Sequence, residues 1–335
     1  MGCGTVARYG HLPAIQETEG LELQAVFDPV PEAVQQAREE YEIPQAFTDV
    51  ESFFAAGLDA VTITSPAPCH KQNALDAARA GLPALCEKPL AMNGVEALEM
   101  VSAMKDAGRS LYTAFCYRFS PCALKIRDLV RSRAIGNVKS LRLIYNWHLH
   151  GKYVEDERGN RTIQKRREGR MLEGGPMVDC GTHQIDLAMF WLESEVIRWQ
   201  AHGAWVDEYE APDHMWLHMD HANGAHTMVE MSYSYHHTTK NKRSEFVYEL
   251  IGSEGVIRYD REARTFCVED GTGRHDLDFH SEKSFAGMYA EWARALHDGQ
   301  SYLLTSAEDG ARVLEIAQKA TEAVMESGKG RDGTE

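Results

Sequence analysis

The sequence has no long hydrophobic run and comparatively few basic residues. No apolar stretch approaches the roughly 20 residues that a bilayer-spanning helix requires, and Met1 is followed by neither a basic patch nor an apolar signal core. Only 35 lysines and arginines stand against 51 aspartates and glutamates, which gives a formal net charge of -16. Such a surface repels phosphate backbones and anionic lipid headgroups. We therefore expect a cytoplasmic protein whose partners include neither nucleic acid nor a membrane.

Cysteines are few and are not spaced for a zinc site or a disulfide framework. The seven cysteines include no C-x-x-C pair, and their odd number fits reduced thiols better than paired ones. We interpret them as small core residues. The composition, with 43% hydrophobic and 26% charged residues, is near the average of globular proteins and excludes intrinsic disorder. At about 150 residues per domain, the length predicts two domains.

The first third of the chain predicts a parallel sheet covered by helices. Short β-rich runs alternate with helical stretches up to residue 116, which is typical of βαβ units. One helix should begin at Asn93, which forms a capping box with Glu96, and should carry Val95 and Leu98 on its apolar face. The predicted strands are 21–27, 59–64, 84–86 and 110–115.

Residues 117–326 predict a second domain of the α+β class with a large, mostly antiparallel sheet. Its β-rich runs are longer and alternate with period two. Asn223-Gly224 lies between two of these runs and predicts a hairpin with a type I′ turn. Helices are expected near Asp179 and over 306–325, and residues 327–335 are interpreted as a polar tail. The predicted strands are 138–150, 196–207, 214–222, 225–235 and 245–251.

The pattern G-x-G-x-x-A near the start of the sequence is that of a dinucleotide-binding turn. Gly2 and Gly4 would let the backbone approach a pyrophosphate, held where Thr5 and Val6 begin a helix. Asp28 closes the next predicted strand, where a carboxylate can accept hydrogen bonds from the adenosine ribose. A carboxylate there repels a 2′-phosphate, so NAD is favoured over NADP. The alternative is an ordinary tight turn followed by a chance acidic residue.

A strand should precede this turn, but only Met1 does so. In the usual doubly wound order that strand lies in the middle of the sheet, and its absence would leave two neighbouring strands unpaired. We therefore expect the true start of the protein upstream of Met1, with roughly 5 to 8 residues missing. An in-frame stop codon immediately upstream would contradict this expectation.

Two segments end predicted parallel strands, which is where open α/β sheets bind their ligands. Ser65 and Pro66 end one strand and are followed by His70, whereas Glu87 and Lys88 end the next strand and precede a proline. These positions make all five residues candidates for binding the cofactor. Alternatively, the adjacent acid and lysine form only a surface ion pair.

A third segment has the pattern D-x-G-x-H-x-x-D and follows two glycines. On a helix, Asp179, His183 and Asp186 have the spacing i, i+4, i+7 and share one face. A carboxylate on that face can orient the imidazole. The alternative is that Asp179 only caps the helix and that His183 is a structural histidine of the first turn, with its hydrogen bonds made inside the protein.

Four histidines surround the Asn223-Gly224 turn, yet they predict no metal site. Direct pairing would set His221 opposite His226, but His214 and His221 point to opposite faces of one strand. Four ligands including His218 therefore do not converge.

Residues 152–170 hold seven basic against four acidic side chains. A solvated loop is one interpretation of this stretch. The other is a lid that admits an anionic group such as a uronate or a phosphate.

In their order and spacing, these motifs resemble the Gfo/Idh/MocA family, which includes glucose-fructose oxidoreductase and inositol dehydrogenases. The segments are the Gly-rich turn, Asp28, T-S-P-x-x-x-H, E-K-P, Tyr117-Arg118-Phe119 and D-x-G-x-H-x-x-D. The resemblance covers nearly the whole chain. It implies an N-terminal Rossmann domain, a C-terminal domain whose open sheet forms a homodimer or homotetramer interface, and NAD(P)-dependent oxidation or reduction of a carbohydrate or cyclitol. Ala7 replaces the third glycine, but alanine still permits close helix packing.

The resemblance also implies roles for the site residues. Lys88 would contact both nicotinamide and substrate, His183 would transfer the proton, and Asp179 would be its partner or a substrate ligand. The chemistry agrees, because histidine titrates near neutrality and a carboxylate can hold its tautomer. Lys88 would then polarise the substrate oxygen, or would itself transfer the proton if its surroundings lowered its pKa. Arg118 would either brace the two domains or touch the substrate.

Two functions of other classes stay open beside this one. The same cofactor site would serve an NAD-dependent glycoside hydrolase, which oxidises its substrate transiently and eliminates the aglycone. Aglycone release without accumulation of NADH would identify it. The other alternative is a non-catalytic sensor of sugar or NAD. A pure binder needs no proton-transfer pair, so Lys88, Asp179 and His183 argue against a sensor.

Overall fold

The computed structural model describes residues 1–148, 153–156, 158–163, 165–207 and 209–329. The chain divides into two compact units. The first consists of residues 1–119 and 283–314, and the second of residues 120–282 together with the C-terminal residues from 315 on. This division differs from the predicted domains 1–116 and 117–326, because residues 283–314 return to the first unit.

The first unit is built on short, mostly parallel strands. Its strands are β1 Ala25–Phe27, β2 Gln45–Phe47, β3 Val61–Ile63, β4 Ala84–Cys86, β5 Leu111–Thr113 and β16 Thr305–Ser306. The sheet order is β16-β5-β4-β3, in which β3, β4 and β5 are parallel and β16 is antiparallel, while β1 and β2 form a separate parallel pair. All three residues of β4 are fully buried, as expected for a parallel strand with both faces covered.

Helices follow most of these strands, as predicted. They are a π-helical turn Ala7–His11 that leads into α1 Leu12–Glu17, then α2 Pro31–Glu40, α3 Val50–Phe54, α4 Ala67–Ala80, α5 Gly94–Asp106, a 3₁₀ turn Cys116–Phe119, α9 Phe285–Asp298 and the start of α10 Ala307–Lys329. The cap of α5 is confirmed, because Asn93 Oδ1 accepts from Glu96 N–H at 2.9 Å. The predicted apolar face of α5 is wrong: Val95 and Leu98 are exposed, and Met100 is among its buried residues.

Strands β1 and β3 do not pair with each other, and the first two residues bond to both. The Met1 amino group donates to Thr62 O at 2.7 Å, Thr64 N–H donates to Met1 O at 2.8 Å, and Gly2 N–H donates to Phe27 O at 2.7 Å. Residues 1 and 2 therefore occupy the position between two neighbouring strands at which the sequence predicts a further strand. The expected upstream residues stay a prediction.

The second unit contains one eight-stranded sheet. Its strands are β6 Val138–Asn146, β9 Val196–Ala204, β10 His214–His221, β11 His226–Ser232, β12 Glu245–Gly252, β13 Gly255–Asp260, β14 Thr265–Asp270 and β15 Gly273–Asp276. The order is β15-β14-β13-β12-β6-β11-β10-β9, and every pair is antiparallel except β11 with β6. The predicted large, mostly antiparallel sheet is confirmed.

The second unit also contains helices. They are α6 Pro121–Arg131, α7 Lys165–Leu172, a π-helical turn Met177–Gly181 that leads into α8 Thr182–Leu192, and the second part of α10. Trp191 on α8 donates its indole N–H to Ala123 O of α6 at 2.9 Å, and its ring meets Tyr248 of β12 edge to face. The helix α10 extends to Lys329, so residues 327–329 belong to it and not to a tail. Residues 330–335 lie outside the described part.

The hairpin between β10 and β11 is confirmed, but its turn differs from the prediction. Only Gly224 of the Asn223-Gly224 pair has a positive φ, of 82°, so the turn is not of type I′. His221 N–H donates to Ala225 O, which closes a wider loop. As a result Asp220, and not His221, lies opposite His226.

The basic stretch 152–170 is only partly a loop. Its described part contains an antiparallel pair, β7 Tyr153–Glu155 with β8 Arg161–Ile163, and the helix α7. Residues 149–152, 157 and 164, on which the predicted lid also depends, lie outside the described residues.

Six of the seven cysteines are buried free thiols, as interpreted from the sequence, but Cys69 on α4 is exposed. In the described part of the chain, no helix is both long enough and apolar enough to cross a membrane.

Candidate functional site

The first glycine of the turn packs directly against the end of β3. Gly2 has a φ of +95°, and a Cβ at this position would lie 2.5 Å from Ser65 N. Thr64 Oγ1 donates to Gly2 O at 2.7 Å and holds the two segments together. Only glycine fits here, because both the backbone conformation and the close approach exclude a side chain.

The second glycine faces open space. A Cβ at Gly4 would meet no atom within 4 Å, and a helical segment starts directly afterwards at Thr5. Gly4 and Thr5 are exposed, Val6 is half-buried, and Ala7 is fully buried in the position of the third glycine. A helix N-terminus with exposed amides and room beside it fits the pyrophosphate of a dinucleotide.

Asp28 fixes the shape of the Gly-rich turn. Its Oδ2 accepts from Cys3 N–H at 2.8 Å, and its Oδ1 accepts from Val30 N–H at 3.0 Å. Each carboxylate oxygen can accept further bonds, so the predicted contact with a ribose is compatible with these partners. The half-buried carboxylate lies at the end of β1, where the sequence places it.

His70 connects the turns after β3 and β4. Its Nε2 lies 2.8 Å from Ser65 O and its Nδ1 lies 2.9 Å from Pro89 O. The ring is only 1% exposed, and burial lowers the pKa of its imidazole. His70 therefore holds the two turns in place. This role differs from the direct cofactor contact that the sequence predicts. Pro66 precedes α4, on which His70 lies.

Glu87 and Lys88 follow the buried strand β4. Glu87 is 6% exposed; its Oε2 accepts from Lys88 N–H at 3.1 Å, and its Oε1 lies 2.8 Å from Nε2 of His11. Lys88 is half-buried. The interpretation as a surface ion pair is wrong, because the acid is inside the protein and bonds to the backbone of the lysine's own turn.

Sequence reasoning missed the buried partners of Glu87. His11 lies in the π-helical turn after the Gly-rich turn, and its Nδ1 is 2.7 Å from the Tyr289 hydroxyl on α9. That hydroxyl is 3.2 Å from Thr62 Oγ1 on β3. The result is a chain of polar groups, the buried chain, which runs from the half-buried Thr62 through the buried Tyr289 and His11 to the buried Glu87. A buried acid next to a motif lysine was a signal that a donor must exist, but the sequence did not show which residue supplies it.

A second cation also lies in this region. Burial, and next the charge of Glu87, raise the pKa of the Cys116 thiol, whereas the charges of Lys283 and Lys88 oppose that rise. Lys283 also stands 5.2 Å above the ring of Tyr9. Residue 283 is where the chain returns to the first unit, and the sequence contained no motif that marked it.

Arg118 braces the first unit internally. It is 7% exposed, and its guanidinium donates to Leu303 O at 3.1 Å, just before β16. The sequence predicted a brace between domains or a substrate contact. The bond to Leu303 ties residues 116–119 to the returning segment of the same unit, and the predicted substrate contact stays a prediction.

Asp179 is held from two sides within the second unit. It is 7% exposed and lies in the π-helical turn before α8. The hydroxyl of Tyr233, at the end of β11, donates to its Oδ2, and Arg170 of α7 lies 3.6 Å from its Oδ1. The pKa of Tyr233 is raised well above its ordinary value by burial and by the charge of Asp179. The carboxylate is thus oriented by partners that the sequence did not predict.

His183 and Asp186 lie in α8, both buried, at 5% and 1% exposure. The predicted spacing assumed a regular α-helix from residue 179 onward. The π-helical turn Met177–Gly181 is wider than an α-turn, so the angle between Asp179 and His183 is not that of a regular i, i+4 pair. Single π-turns inside helices are frequent at functional sites.

The histidines around Gly224 are divided between the two faces of the sheet. His221 is buried and its Nε2 lies 2.9 Å from Thr227 Oγ1, whereas His214 and His218 lie on the half-exposed face. On that face, His218 Nδ1 lies 3.2 Å from His226 Nε2. Within the described residues, no three histidine, cysteine or acidic side chains are grouped to hold a metal ion.

A Gly-rich turn before a helix and motif residues at the ends of parallel strands are the features of a dinucleotide-binding Rossmann unit. Residues 1–115 match the oxidoreductase family with an NAD-binding Rossmann fold, and residues 123–258 match the GFO/IDH/MocA C-terminal domain. The chain therefore belongs to the Gfo/Idh/MocA family, as its motifs predicted.

Named relatives and a solved structure agree with this membership. D-apiose dehydrogenase of Paraburkholderia graminis is 28% identical over 269 residues, covering 79% of this chain and 67% of the relative. Inositol 2-dehydrogenase 2 of Paenarthrobacter aurescens is 25% identical over 289 residues, covering 82% and 80%. An oxidoreductase from Agrobacterium radiobacter, solved with NAD+, L-tartaric acid and magnesium, shares the fold with a TM-score of 0.82 at 21% identity, covering 98% of this chain and 95% of that one.

Three further relatives match over only 52–57% of their own length. The apiose and inositol enzymes are both named dehydrogenases, so neither the glycoside hydrolase nor the sensor is favoured.

Proposed function

We propose that this chain is an NAD-dependent dehydrogenase or reductase acting on a CH–OH or ketone carbon of a sugar, sugar acid or cyclitol. The observation that carries the proposal is the assembly of three strand ends in one unit. Gly2 packs on Ser65 after β3, Asp28 holds the amide of Cys3 after β1, and Lys88 follows β4. The names of the relatives support the substrate class.

The proposed cofactor is NAD in preference to NADP. The carboxylate of Asp28 is held in place by Cys3 and Val30 amides, and a fixed negative charge at the ribose position disfavours a 2′-phosphate. A bound nicotinamide supplies the hydride acceptor or donor. The amides at Gly4, Thr5 and Val6 would hold its pyrophosphate, and Ser65 would line the same edge of the sheet.

The proposed reaction needs a group that transfers the hydroxyl proton of the substrate and a group that polarises the substrate oxygen. Removing a hydride from an alcohol requires a base for the hydroxyl proton, and an imidazole suits this near neutrality. We assign proton transfer to His183 and polarisation of the substrate oxygen to the Lys88 ammonium. We assign Asp179, which Tyr233 and Arg170 hold in place, as the partner of His183 or a ligand of the substrate.

A second copy of the chain is the proposed partner. The half-exposed face of the eight-stranded sheet carries Trp216 and Met228 among polar neighbours, and an open sheet face of this size is typically covered. We propose a homodimer or homotetramer through this face, which analytical ultracentrifugation tests.

The experiment is a panel of sugars, sugar acids and inositols, offered with NAD or NADP and followed by NADH or NADPH absorbance. We expect turnover of at least one substrate, with a higher kcat/KM for NAD. Lys88→Met and His183→Ala should each lower kcat by about 100-fold or more, with the Kd of NAD little changed. The double variant should lose less than the product of the two effects, because both act on one step.

Lys71→Met is the matched control for Lys88. Lys71 is a surface lysine that pairs with Glu99 at 2.7 Å in the same unit, so its loss should leave kcat unchanged. Aglycone release without net NADH would favour the hydrolase instead. Near-normal turnover of either the Lys88 or the His183 variant would remove the assigned roles.

A further inference from the structure

The buried chain Thr62–Tyr289–His11–Glu87 ends on the turn of Lys88, where Glu87 accepts from the Lys88 N–H. We propose that His11 and Tyr289 are positioning residues, which keep Glu87 ionised and thereby keep Lys88 protonated as an ammonium. The inference rests on the proposed role of Lys88. It assigns a task to two residues that no motif indicated.

Glu87 is a buried acid that needs hydrogen-bond donors to stay charged. A carboxylate at 6% exposure is strongly disfavoured unless donors replace the lost water. The donors include Lys88 N–H at 3.1 Å on Oε2 and the His11 ring at 2.8 Å on Oε1. Without the ring, Oε1 loses that donor, and the equilibrium of the carboxyl group shifts towards its neutral, protonated form.

The tautomer of His11 follows from the charge of Glu87. An ionised Glu87 has no proton, so Nε2 of the ring must donate and Nδ1 of a neutral ring must accept. The Tyr289 hydroxyl at 2.7 Å is the donor to Nδ1. Burial raises the pKa of that phenol, so it keeps its proton to donate. Because the phenol has one proton and gives it to Nδ1, the Thr62 hydroxyl, 3.2 Å away, donates to the Tyr289 oxygen and completes the chain.

The buried chain connects both halves of the nucleotide site. His11 lies in the helical segment that follows the Gly-rich turn, and Glu87 bonds the backbone of Lys88. The ring of Phe285 packs edge to face on the His11 ring, with 5.0 Å between the ring centroids. The same Phe285 ring lies so close to Gly10 that a Cβ at position 10 would be 2.7 Å from it. The imidazole is therefore fixed by packing as well as by its bonds.

The charge of Glu87 acts on Lys88 and on the neighbouring groups. A negative charge on the residue before Lys88, bonded to its backbone N–H, favours the ammonium form, and its neutralisation lowers the pKa of the amine. Other groups act on the same turn. Glu87 raises the pKa of both the Cys86 and the Cys116 thiol, and its charge opposes the lowering of the His70 pKa by burial, while Lys283 acts on Cys116 as a second cation. Glu87 is the acidic side chain that acts on all three of these groups, so its ionisation changes the charge on the turn of Lys88.

The test measures Lys88 itself, without substrate. The apo protein is labelled with limiting acetic anhydride across a pH series, and mass spectrometry gives the pH midpoint at which Lys88 becomes reactive. We expect the midpoint to fall by about one pH unit in Glu87→Gln and in His11→Leu. His11→Gln, whose amide can donate to Glu87, should restore most of the original value. Tyr289→Phe should give a smaller shift than His11→Leu.

Tyr259→Phe is the matched control. Tyr259 is a fully buried tyrosine of the second unit whose hydroxyl donates to His280 O at 3.0 Å, so it loses a comparable bond but should not move the Lys88 midpoint. Urea unfolding of every variant records the loss of stability separately. If His11→Leu lowers stability like the control but leaves the Lys88 midpoint unchanged, His11 is only a packing residue and the inference is overturned.

A kinetic readout separates the role of His11 from the proposed function. With a substrate from the panel, His11→Leu should move the basic limb of the kcat profile to lower pH by about one unit. The loss of kcat should reach up to about tenfold on that limb, with KM little changed. If Lys88→Met is fully active, the proposed function fails regardless of His11. If Lys88→Met is inactive but His11→Leu retains the normal basic limb, only the positioning role of His11 fails.

Discussion

At the residue scale, the two glycines of the turn have different physical tasks. Gly2 has a positive φ and no room for a Cβ, whereas Gly4 has neither constraint within the protein. Gly2→Ala should therefore lower the free energy of unfolding by about 2 to 4 kcal/mol, through backbone strain and overpacking. Gly4→Ala should change it by less than about 0.5 kcal/mol but weaken NAD binding about tenfold, because the methyl group fills the space proposed for the pyrophosphate.

Urea unfolding and calorimetric titration with NAD measure the two effects. Gly94→Ala is the control, because Gly94 starts α5 with nothing within 4 Å of an added Cβ and without a positive φ. It should alter neither quantity. Equal losses of stability in both turn variants would show that Gly4, like Gly2, serves only the fold.

The same residues show what the sequence could predict at this scale. Gly2 and Gly4 were recognisable because they belong to a short motif, and Asp28 was recognisable because it closes the next predicted strand. Asp28 was nevertheless assigned to a ribose alone, although it also accepts from the amide of Cys3. His11 and Tyr289 could not be paired, because they are 278 positions apart and only the tertiary fold brings them together.

At the element scale, the π-helical turn Met177–Gly181 depends on the strand beside it. Tyr233 follows β11 and donates to Asp179 in this turn. Tyr233→Phe should lower the free energy of unfolding by about 1.5 to 3 kcal/mol, since it removes a buried hydrogen bond to a charged group. Urea unfolding of this variant, of Asp179→Asn and of the double variant gives the coupling between the two side chains.

Tyr235→Phe is the matched control for this cycle, because Tyr235 lies two residues further on and is only half-buried. It should cost less than about 0.5 kcal/mol. A coupling energy near zero between positions 233 and 179 would show that the hydroxyl does not hold the carboxylate in solution.

The sequence predicted the type of most helices and strands better than the residues at which they begin and end. The alternation of strand and helix and the antiparallel sheet followed from hydrophobic periodicity. The strand ends did not, because the predicted run 21–27 contains only three residues that pair, Ala25–Phe27. Val95 and Leu98 were expected to be buried, but α5 packs through its small residue Ala97 and its methionines. Periodicity identifies a helix and leaves the choice of face to tertiary packing.

At the scale of the whole molecule, buried histidines make stability depend on pH. Burial lowers the pKa of His70 in the first unit and of His221 in the second. The unfolded chain therefore binds more protons than the folded chain as pH falls through about 6.5, so stability is complete above that pH and is lost below it. The unfolding free energy should decrease from pH 7.5 to 5.5, by at most about 1.4 kcal/mol per pH unit for each histidine.

Urea unfolding at a series of pH values measures this slope. His221→Gln should reduce the slope, because it removes one titrating group while retaining a polar side chain near Thr227. The same replacement at the exposed His297 is the matched control and should leave the slope as it is. A stability that is constant over this range would contradict the assignment.

The division into units was the part of the fold least accessible from the sequence. The change from short to long predicted strands near residue 117 lies close to residue 120, where the second unit begins. Nothing in the pattern marked residues 283–314 as part of the first unit, because α9 resembles any amphipathic helix. Its membership follows from pairing of β16 with β5 and from the bond of Arg118 to Leu303.

The return of residues 283–314 has a consequence for chimeric enzymes. A chimera that exchanges only residues 1–119 between relatives would separate Phe285 and Tyr289 from His11, which they contact in the native protein. A graft that transfers both stretches together would keep these native contacts. The first unit of this chain is thus transferred intact only as a discontinuous pair of segments.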